Sequence, residues 1–254
     1  MARRVVTIQT RSGKSTASVF EPETGKGPWP AVLVFMDARG IRPALFELGE
    51  RIAGAGYYVL LPDLFYRAGP YEAPTPIKFS QDPEFRKHWQ ATYVATASKA
   101  NVQSDTEAYL AFLATEPAVR SLSIGTTGYC MGGGLSLATA GNFPDRVIAA
   151  ASYHGGNLAT DAPDSPHLLI PRIKARVYVA GAMEDASFPD EQKQRLIAAF
   201  RHAGVDSAGE TYAGAKHGWV PSDSAAYDAA AAERHYRTLL ALFDATLKAA
   251  PAKA

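Results

Sequence analysis

The run Gly128-Tyr129-Cys130-Met131-Gly132-Gly133 constrains this chain more than any other feature. It has the form G-x-C-x-G. A β-rich segment at 121–128 runs straight into it, and a stretch of small and apolar residues with helical character, 131–140, runs out. Glycines on both sides permit a very tight strand-to-helix turn, which lifts the central side chain clear of the backbone. Cys130 is the only cysteine among 254 residues. A thiol at such a turn is exposed, sits near a helix N-terminus, and can attack a carbonyl. The bland alternative is a small buried hydrophobe, which is what most free cysteines are. The flanking glycines and the strand-before, helix-after context argue against it.

The remaining segments alternate in kind. Residues 4–10 and 15–21 are β-branched stretches separated by Ser12-Gly13-Lys14 and read as a hairpin. Residues 30–36 and 57–61 are continuous apolar runs, as strands buried on both faces require. Between them, Leu45, Leu48, Ile52 and Ala55 keep helical spacing until Gly56 ends the helix. Further strands are expected at 147–152, 175–180 and 210–212. Further helices are expected at 105–115, 191–203 and 225–247, with a frayed tail at 249–254. Strands alternating with helices imply one α/β domain over 1–254, a mostly parallel central sheet with helices on both faces. Functional residues then gather at the carboxyl ends of strands.

One segment breaks the pattern. From residue 66 to about 90, Pro70, Pro74, Pro76 and Pro83 forbid regular helix over most of the stretch. The same stretch carries Tyr66, Tyr71, Phe79, Phe85 and Trp89. It reads either as a lid or binding segment, extending to about residue 100, or as a packed surface excursion.

Composition excludes several classes. Hydrophobic residues make up 47% and charged residues 20%, and the net charge is +1. Those values fit a packed soluble globule and give no electrostatic footprint for nucleic acid or an anionic membrane. No apolar run spans a bilayer, and Met1-Ala2-Arg3-Arg4 lacks the apolar core of a secretory or twin-arginine signal. A lone cysteine forms no internal disulfide, so a reducing compartment is permitted. The expectation is a soluble, cytoplasmic enzyme of unknown oligomeric state.

A thiol nucleophile needs a base. Among His88, His154, His167, His202, His217 and His235, two follow strands. His217 stands in Gly214-Ala215-Lys216-His217-Gly218-Trp219, before the final helix, and is the preferred base. His154, in Ser152-Tyr153-His154-Gly155-Gly156, is the alternative base or a pocket residue. The base needs an orienting carboxylate. Glu184 and Asp185 both follow the strand at 175–180, and either suits the role; a solvated pair at a helix start is the plain alternative.

With these residues in view, the chain resembles the dienelactone hydrolase family. Gly-Tyr-Cys-Met-Gly-Gly is similar to that family's nucleophile elbow, including the unusual cysteine. Asp185, with Pro189 four residues on, and His217, before the last helix, fall where the family's acid and base fall. The resemblance implies an α/β-hydrolase fold and a Cys130–Asp185–His217 triad in the nucleophile–acid–base order of that fold. It also implies an oxyanion hole from the N–H groups of Met131 and Ala38. Two departures stand out. The family places a glutamate at the end of the strand at 30–36, where it contacts the resting thiol and takes part in its activation; here the residue is Asp37, one methylene shorter. Members that bind a carboxylate-bearing lactone carry an arginine four residues beyond the histidine; here that position is Pro221. Arg39, Arg67 and Arg86 are the candidates to replace it. Tyr129, His154 and Trp219 are candidate substrate-binding residues beside the triad.

The resulting expectation is hydrolysis of a small-molecule carboxylic ester or lactone through an acyl-enzyme, without a cofactor. The histidines and carboxylates show no metal-ligand spacing such as H-E-x-x-H. Two alternatives stay open: a hydrolase acting on a non-ester bond, and a non-catalytic ligand-binding protein on a hydrolase-like scaffold.

Overall fold

The apolar runs become the inner strands of one eight-stranded sheet, in a computed structural model that describes residues 3–250. The expected end of the tail, at 251–254, lies outside the described residues. β1 (Arg3–Thr10) and β2 (Gly13–Phe20) form the antiparallel hairpin, and β2 pairs antiparallel with β4 (Tyr58–Pro62). β3 (Trp29–Phe35), β5 (Val119–Tyr129), β6 (Val147–Tyr153), β7 (Arg176–Glu184) and β8 (Ser207–Lys216) complete a run of parallel pairings with β4. Side chains alternate faces along a strand. Ala31 through Phe35 are nevertheless all buried, so the sheet is covered on both faces. Burying each such aliphatic side chain contributes about 1.5–3 kcal/mol.

The strand order is β1-β2-β4-β3-β5-β6-β7-β8. The chain steps outward from β3 to β4, then crosses back to place β5 on the other side of β3. This reversal is a switch point, where a crevice opens at the carboxyl ends of the two strands. The loop after β3 carries Asp37 as its second residue, and β5 ends beside Cys130.

Helix α1 (Pro43–Gly54) buries Leu45, Leu48 and Ile52, as its spacing requires. Two helices occupy the proline-rich segment, α2 (Pro76–Gln81) and α3 (Pro83–Thr92), where irregular chain was expected. The prolines start these helices instead of preventing them. Pro76 and Pro83 each hold the first helical position, where a missing N–H costs nothing and the fixed φ is already helical. Thr75 and Asp82 cap them by accepting from the N–H groups of Lys78 and Phe85. Phe65, Tyr71, Trp89 and Tyr93 pack into one aromatic cluster beneath this segment.

The remaining helices are α4 (Lys99–Thr115), α5 (Met131–Asn142), α6 (Asp190–Ala203) and α7 (Ala229–Thr246). Helix α4 starts at Lys99 and not at the expected 105, because Ser98 caps its first turn by accepting from the Asn101 N–H. Helix α7 begins at Ala229, set by the Asp228 cap, and not at 225. β8 is longer than residues 210–212, since an edge strand is mostly exposed and its polar residues hide it from apolar patterning.

The turn between β5 and α5 leaves no room for a side chain at its glycines. A Cβ at Gly132 would lie 2.4 Å from the Phe35 carbonyl oxygen, and one at Gly128 would lie 1.9 Å from that of Gly132. Both obstacles are backbone and cannot swing aside. Gly132→Ala is therefore expected to destabilise the protein by about 3 kcal/mol or more, read as a large drop in the thermal unfolding midpoint. An unchanged midpoint would show that the elbow has slack.

Candidate active site

Every residue singled out for chemistry stands at the carboxyl end of a strand. Cys130 follows β5, His154 follows β6, Asp185 follows β7 and His217 follows β8, while Asp37 to Arg39 follow β3. The parallel arrangement brings these ends to one edge of the sheet. Cys130, His154 and His217 line one cavity of about 210 Å³ with Asp37, Ala38 and Arg39. A larger hollow of about 590 Å³ lies between α6 and β8, lined by Leu196, Ile197 and Phe200. It contains none of the strand-end residues, so size does not locate the chemistry here.

Cys130 adopts φ 57° and ψ −118°. Such a conformation costs a non-glycine residue about 1–3 kcal/mol and persists only where surroundings enforce it. Here the Cys130 N–H donates to the Tyr153 carbonyl at 3.2 Å and to His154 Nδ1 at 3.1 Å. The side chain is partly exposed to the cavity and sits immediately before the first turn of α5.

The His217 Nδ1–H donates to Asp185 Oδ2 at 2.7 Å. Asp185 is buried, and its other oxygen accepts from the Ser187 N–H at 2.9 Å and hydroxyl at 2.5 Å. Burial would raise the Asp185 carboxyl, but the bonds from His217 and Ser187 outweigh it and hold it below the usual range. Burial would likewise lower His217. Its bonds to Asp185 and to Cys130 win, and the ring is pushed up to about 10. His217 thus carries its proton at neutral pH, with a carboxylate on one side and the sulfur on the other.

His154 behaves differently. Burial first, and the neighbouring charge of His217 second, push it well below the ordinary histidine range. It is neutral and fully buried. Because Nδ1 accepts from Cys130, the proton rests on Nε2. Its ring meets His217 edge-on, with centroids 5.3 Å apart. Of the two histidines, only His217 has a carboxylate partner in the site.

Asp37 lines the cavity, and both its oxygens are engaged by an arginine. They accept from Arg42 Nη1 and Nη2, each at 2.7 Å, and Oδ1 also accepts from the Arg39 N–H. A buried bidentate guanidinium is a stronger partner than a thiol, and the shorter side chain stays with it. Met131 opens α5, so its N–H has no carbonyl one turn earlier to bind. Ala38 borders the cavity, and its carbonyl accepts from Trp89 Nε1 at 2.8 Å.

Four expected pocket residues are elsewhere. Tyr129 is fully buried on the far side of the turn, its hydroxyl bonded to His235 Nε2 at 2.9 Å. Trp219 is fully buried and stacks on Tyr212. Arg86 lies on α3, its Nη1 3.5 Å from the Ser80 carbonyl, outside the cavity lining. Arg67 is spent on the buried Asp105. Arg42 and Asp223 were not foreseen. Arg42 Nε donates to Asp223 at 2.9 Å, and the Arg39 guanidinium contacts the same carboxylate at 2.8 Å. Pro76, Phe79 and Ser80 of the α2 segment roof the cavity.

This site sits on a chain whose residues 16–247 match the model of the dienelactone hydrolase family. The chain belongs to that family. Membership makes it a hydrolase of the α/β-hydrolase superfamily. A provisionally named carboxymethylenebutenolidase of Synechocystis sp. is 28% identical, over 96% of this chain and 97% of its own. The carboxymethylenebutenolidase of Pseudomonas putida is 26% identical, over 89% and 90%. The crystal structure of a provisionally named dienelactone hydrolase from Klebsiella pneumoniae superposes with a TM-score of 0.83 at 22% identity, covering 96% of this chain and 98% of that one, and supports the shared fold. Among the described residues no helix is long and apolar enough to cross a membrane.

Proposed function

We propose that the protein hydrolyses a small carboxylic ester or lactone, with Cys130 as nucleophile, His217 as proton carrier and Asp185 as the group that orients it. The observation that carries this reading is the 2.7 Å His217–Asp185 bond beside a cysteine held at positive φ in the same cavity. The thiolate is the reactive form of cysteine, and a protonated imidazole next to it favours that form. The sulfur attacks the carbonyl carbon, and the carbonyl electron pair moves onto oxygen. The N–H groups of Met131 and Ala38 receive the oxyanion; losing one such donor raises the barrier by about 3 kcal/mol in comparable enzymes. Collapse expels the alkoxide, which takes the His217 proton. Neutral His217 then removes a proton from water, hydroxide attacks the thioester, and the carboxylic acid leaves as the thiolate–imidazolium pair re-forms.

The names of the relatives point the same way, since carboxymethylenebutenolidase describes a lactone hydrolase. The cavity, at about 210 Å³, is smaller than the roughly 300–1,000 Å³ of pockets for drug-sized ligands, which suits a short acyl group. The segment containing α2 and α3 serves as the roof that sets acyl size, tied down through Trp89 and through the Arg39 guanidinium on the Pro74 carbonyl at 2.9 Å.

The direct experiment is a chain-length series of p-nitrophenyl esters beside a lactone panel. Turnover concentrated in the short esters or lactones is expected, and no turnover of any ester or lactone would overturn the assignment. In the same assay, Trp89→Phe keeps the ring but loses the bond to the Ala38 carbonyl. It is expected to lower kcat/KM by about tenfold, the loss of roughly one hydrogen bond in a placing role. Unchanged kinetics would detach the roof from the oxyanion loop.

A further inference from the structure

Beyond the cysteine and the histidines, three charged side chains, Asp37, Arg39 and Arg42, border the cavity, and Asp223, just behind this lining, joins them into a ring. Asp37 holds Arg42 through two bonds of 2.7 Å. Arg42 holds Asp223 at 2.9 Å, Asp223 holds Arg39 at 2.8 Å, and the Arg39 N–H returns to Asp37 at 2.9 Å. Burial works against both Arg42 and Asp223, yet pairing prevails: Arg42 is raised by Asp37 and Asp223, and Asp223 is lowered by Arg42 and Arg39. The ring therefore sets two guanidiniums against two carboxylates. An acyl group bearing a carboxylate would bring a third anion to two guanidiniums already neutralised, with Asp223 close by. It would lose water without finding an unspent charge. The rest of the wall, Pro76, Phe79, Pro221 and Ala225, suits an uncharged chain.

We propose that this charge ring selects uncharged acyl groups, and that Asp223 is the specificity-determining residue. The proposal rests on the ester-hydrolase reading and adds the substrate class to it. Asp223 is the ring member to test because it is partly exposed and contributed by the loop after His217, and its replacement leaves the buried Asp37–Arg42 pair in place.

The test compares p-nitrophenyl pentanoate with mono-p-nitrophenyl glutarate, whose acyl chains are alike in length but differ by a terminal carboxylate. The wild-type enzyme is expected to favour the neutral ester by about tenfold or more in kcat/KM. Asp223→Asn leaves one guanidinium charge unmatched and is expected to move that ratio about tenfold toward the anionic ester, with the shift shrinking at high salt. The readout is a ratio, so a uniform loss of activity through damaged packing cancels. A wild-type preference for the glutarate overturns the proposal without touching the hydrolase reading. So does an Asp223→Asn ratio equal to the wild-type one. Turnover of neither ester by wild type also overturns the proposal, and it marks the failure of the hydrolase reading itself when the full ester and lactone panel is silent as well.

Discussion

Replacing Cys130 with alanine is expected to lower turnover of a p-nitrophenyl acetate-type ester by about 10⁴-fold or more, the scale seen when a nucleophile is removed from an acting triad. The physical reason is specific. Alanine keeps the elbow, the cavity and the Met131 and Ala38 donors, but no atom remains to form the acyl bond. The backbone hydrogen bonds of residue 130 to Tyr153 and His154 do not involve sulfur, so the fold should survive. Circular dichroism and thermal unfolding of the variant should match wild type. Full residual activity would rule out the nucleophile, and lost activity with a lost fold would call for Cys130→Ser as the cleaner substitution.

The second large effect concerns the two histidines. His217→Ala is expected to cut kcat/KM by about 10³-fold or more, and His154→Ala by about tenfold. Both rings touch the site, but their electrostatics assign them different work. His217 has Asp185 on its Nδ1 and is held protonated, whereas His154 is kept neutral and is engaged with the Cys130 N–H. The pH dependence follows with a definite sign. The His217 pKa is raised from 6.5 to about 10 on folding. Its stabilising contribution is complete below 6.5 and is lost as the pH climbs through 10. Catalysis that relies on its proton follows the same alkaline limit. For an alkyl ester, whose alkoxide must be protonated to leave, kcat/KM measured by pH-stat is expected to fall near pH 10. An alkaline limb near 6.5 would mean that Asp185 and Cys130 do not hold the proton, and a larger loss in His154→Ala than in His217→Ala would move the base to His154.

Much of the site was legible because strand ends are legible. Apolar runs mark β3, β5, β6 and β7, and in a parallel sheet their carboxyl ends converge, so Cys130 and Asp185 could be placed at one edge of the sheet from the pattern alone; His217 follows β8, which leaves little apolar trace, and was marked by the glycines around it and by its place before the last helix. What could not be read was direction and pairing. Tyr129 adjoins Cys130 in sequence but belongs to the strand, where it points into the packing against His235. Trp219 lies two residues past His217, yet its bulk is more stabilising against Tyr212 than in a wet cavity. Asp37 sits at the expected strand end, but its partner, Arg42, is five residues on, across a loop whose closure no periodicity signals. Asp223 reaches the same cluster from a separate loop, 181 residues from Arg42, and a contact at that separation leaves no local trace. The prolines mark a related limit: Pro76 and Pro83 read equally well as helix breakers and helix starters, and only Thr75 and Asp82 in cap positions distinguish the two.

The account turns on a covalent thioester at one sulfur. Because Cys130 is the chain's only cysteine, rapid acid quench during turnover of an activated ester, followed by intact-mass spectrometry, reads that bond directly. The predicted result is a single added acyl mass on wild type, released on further incubation and absent from Cys130→Ala. Steady turnover by an enzyme that first had its sulfur fully carboxamidomethylated by iodoacetamide, with no acyl mass at any quench time, would contradict it.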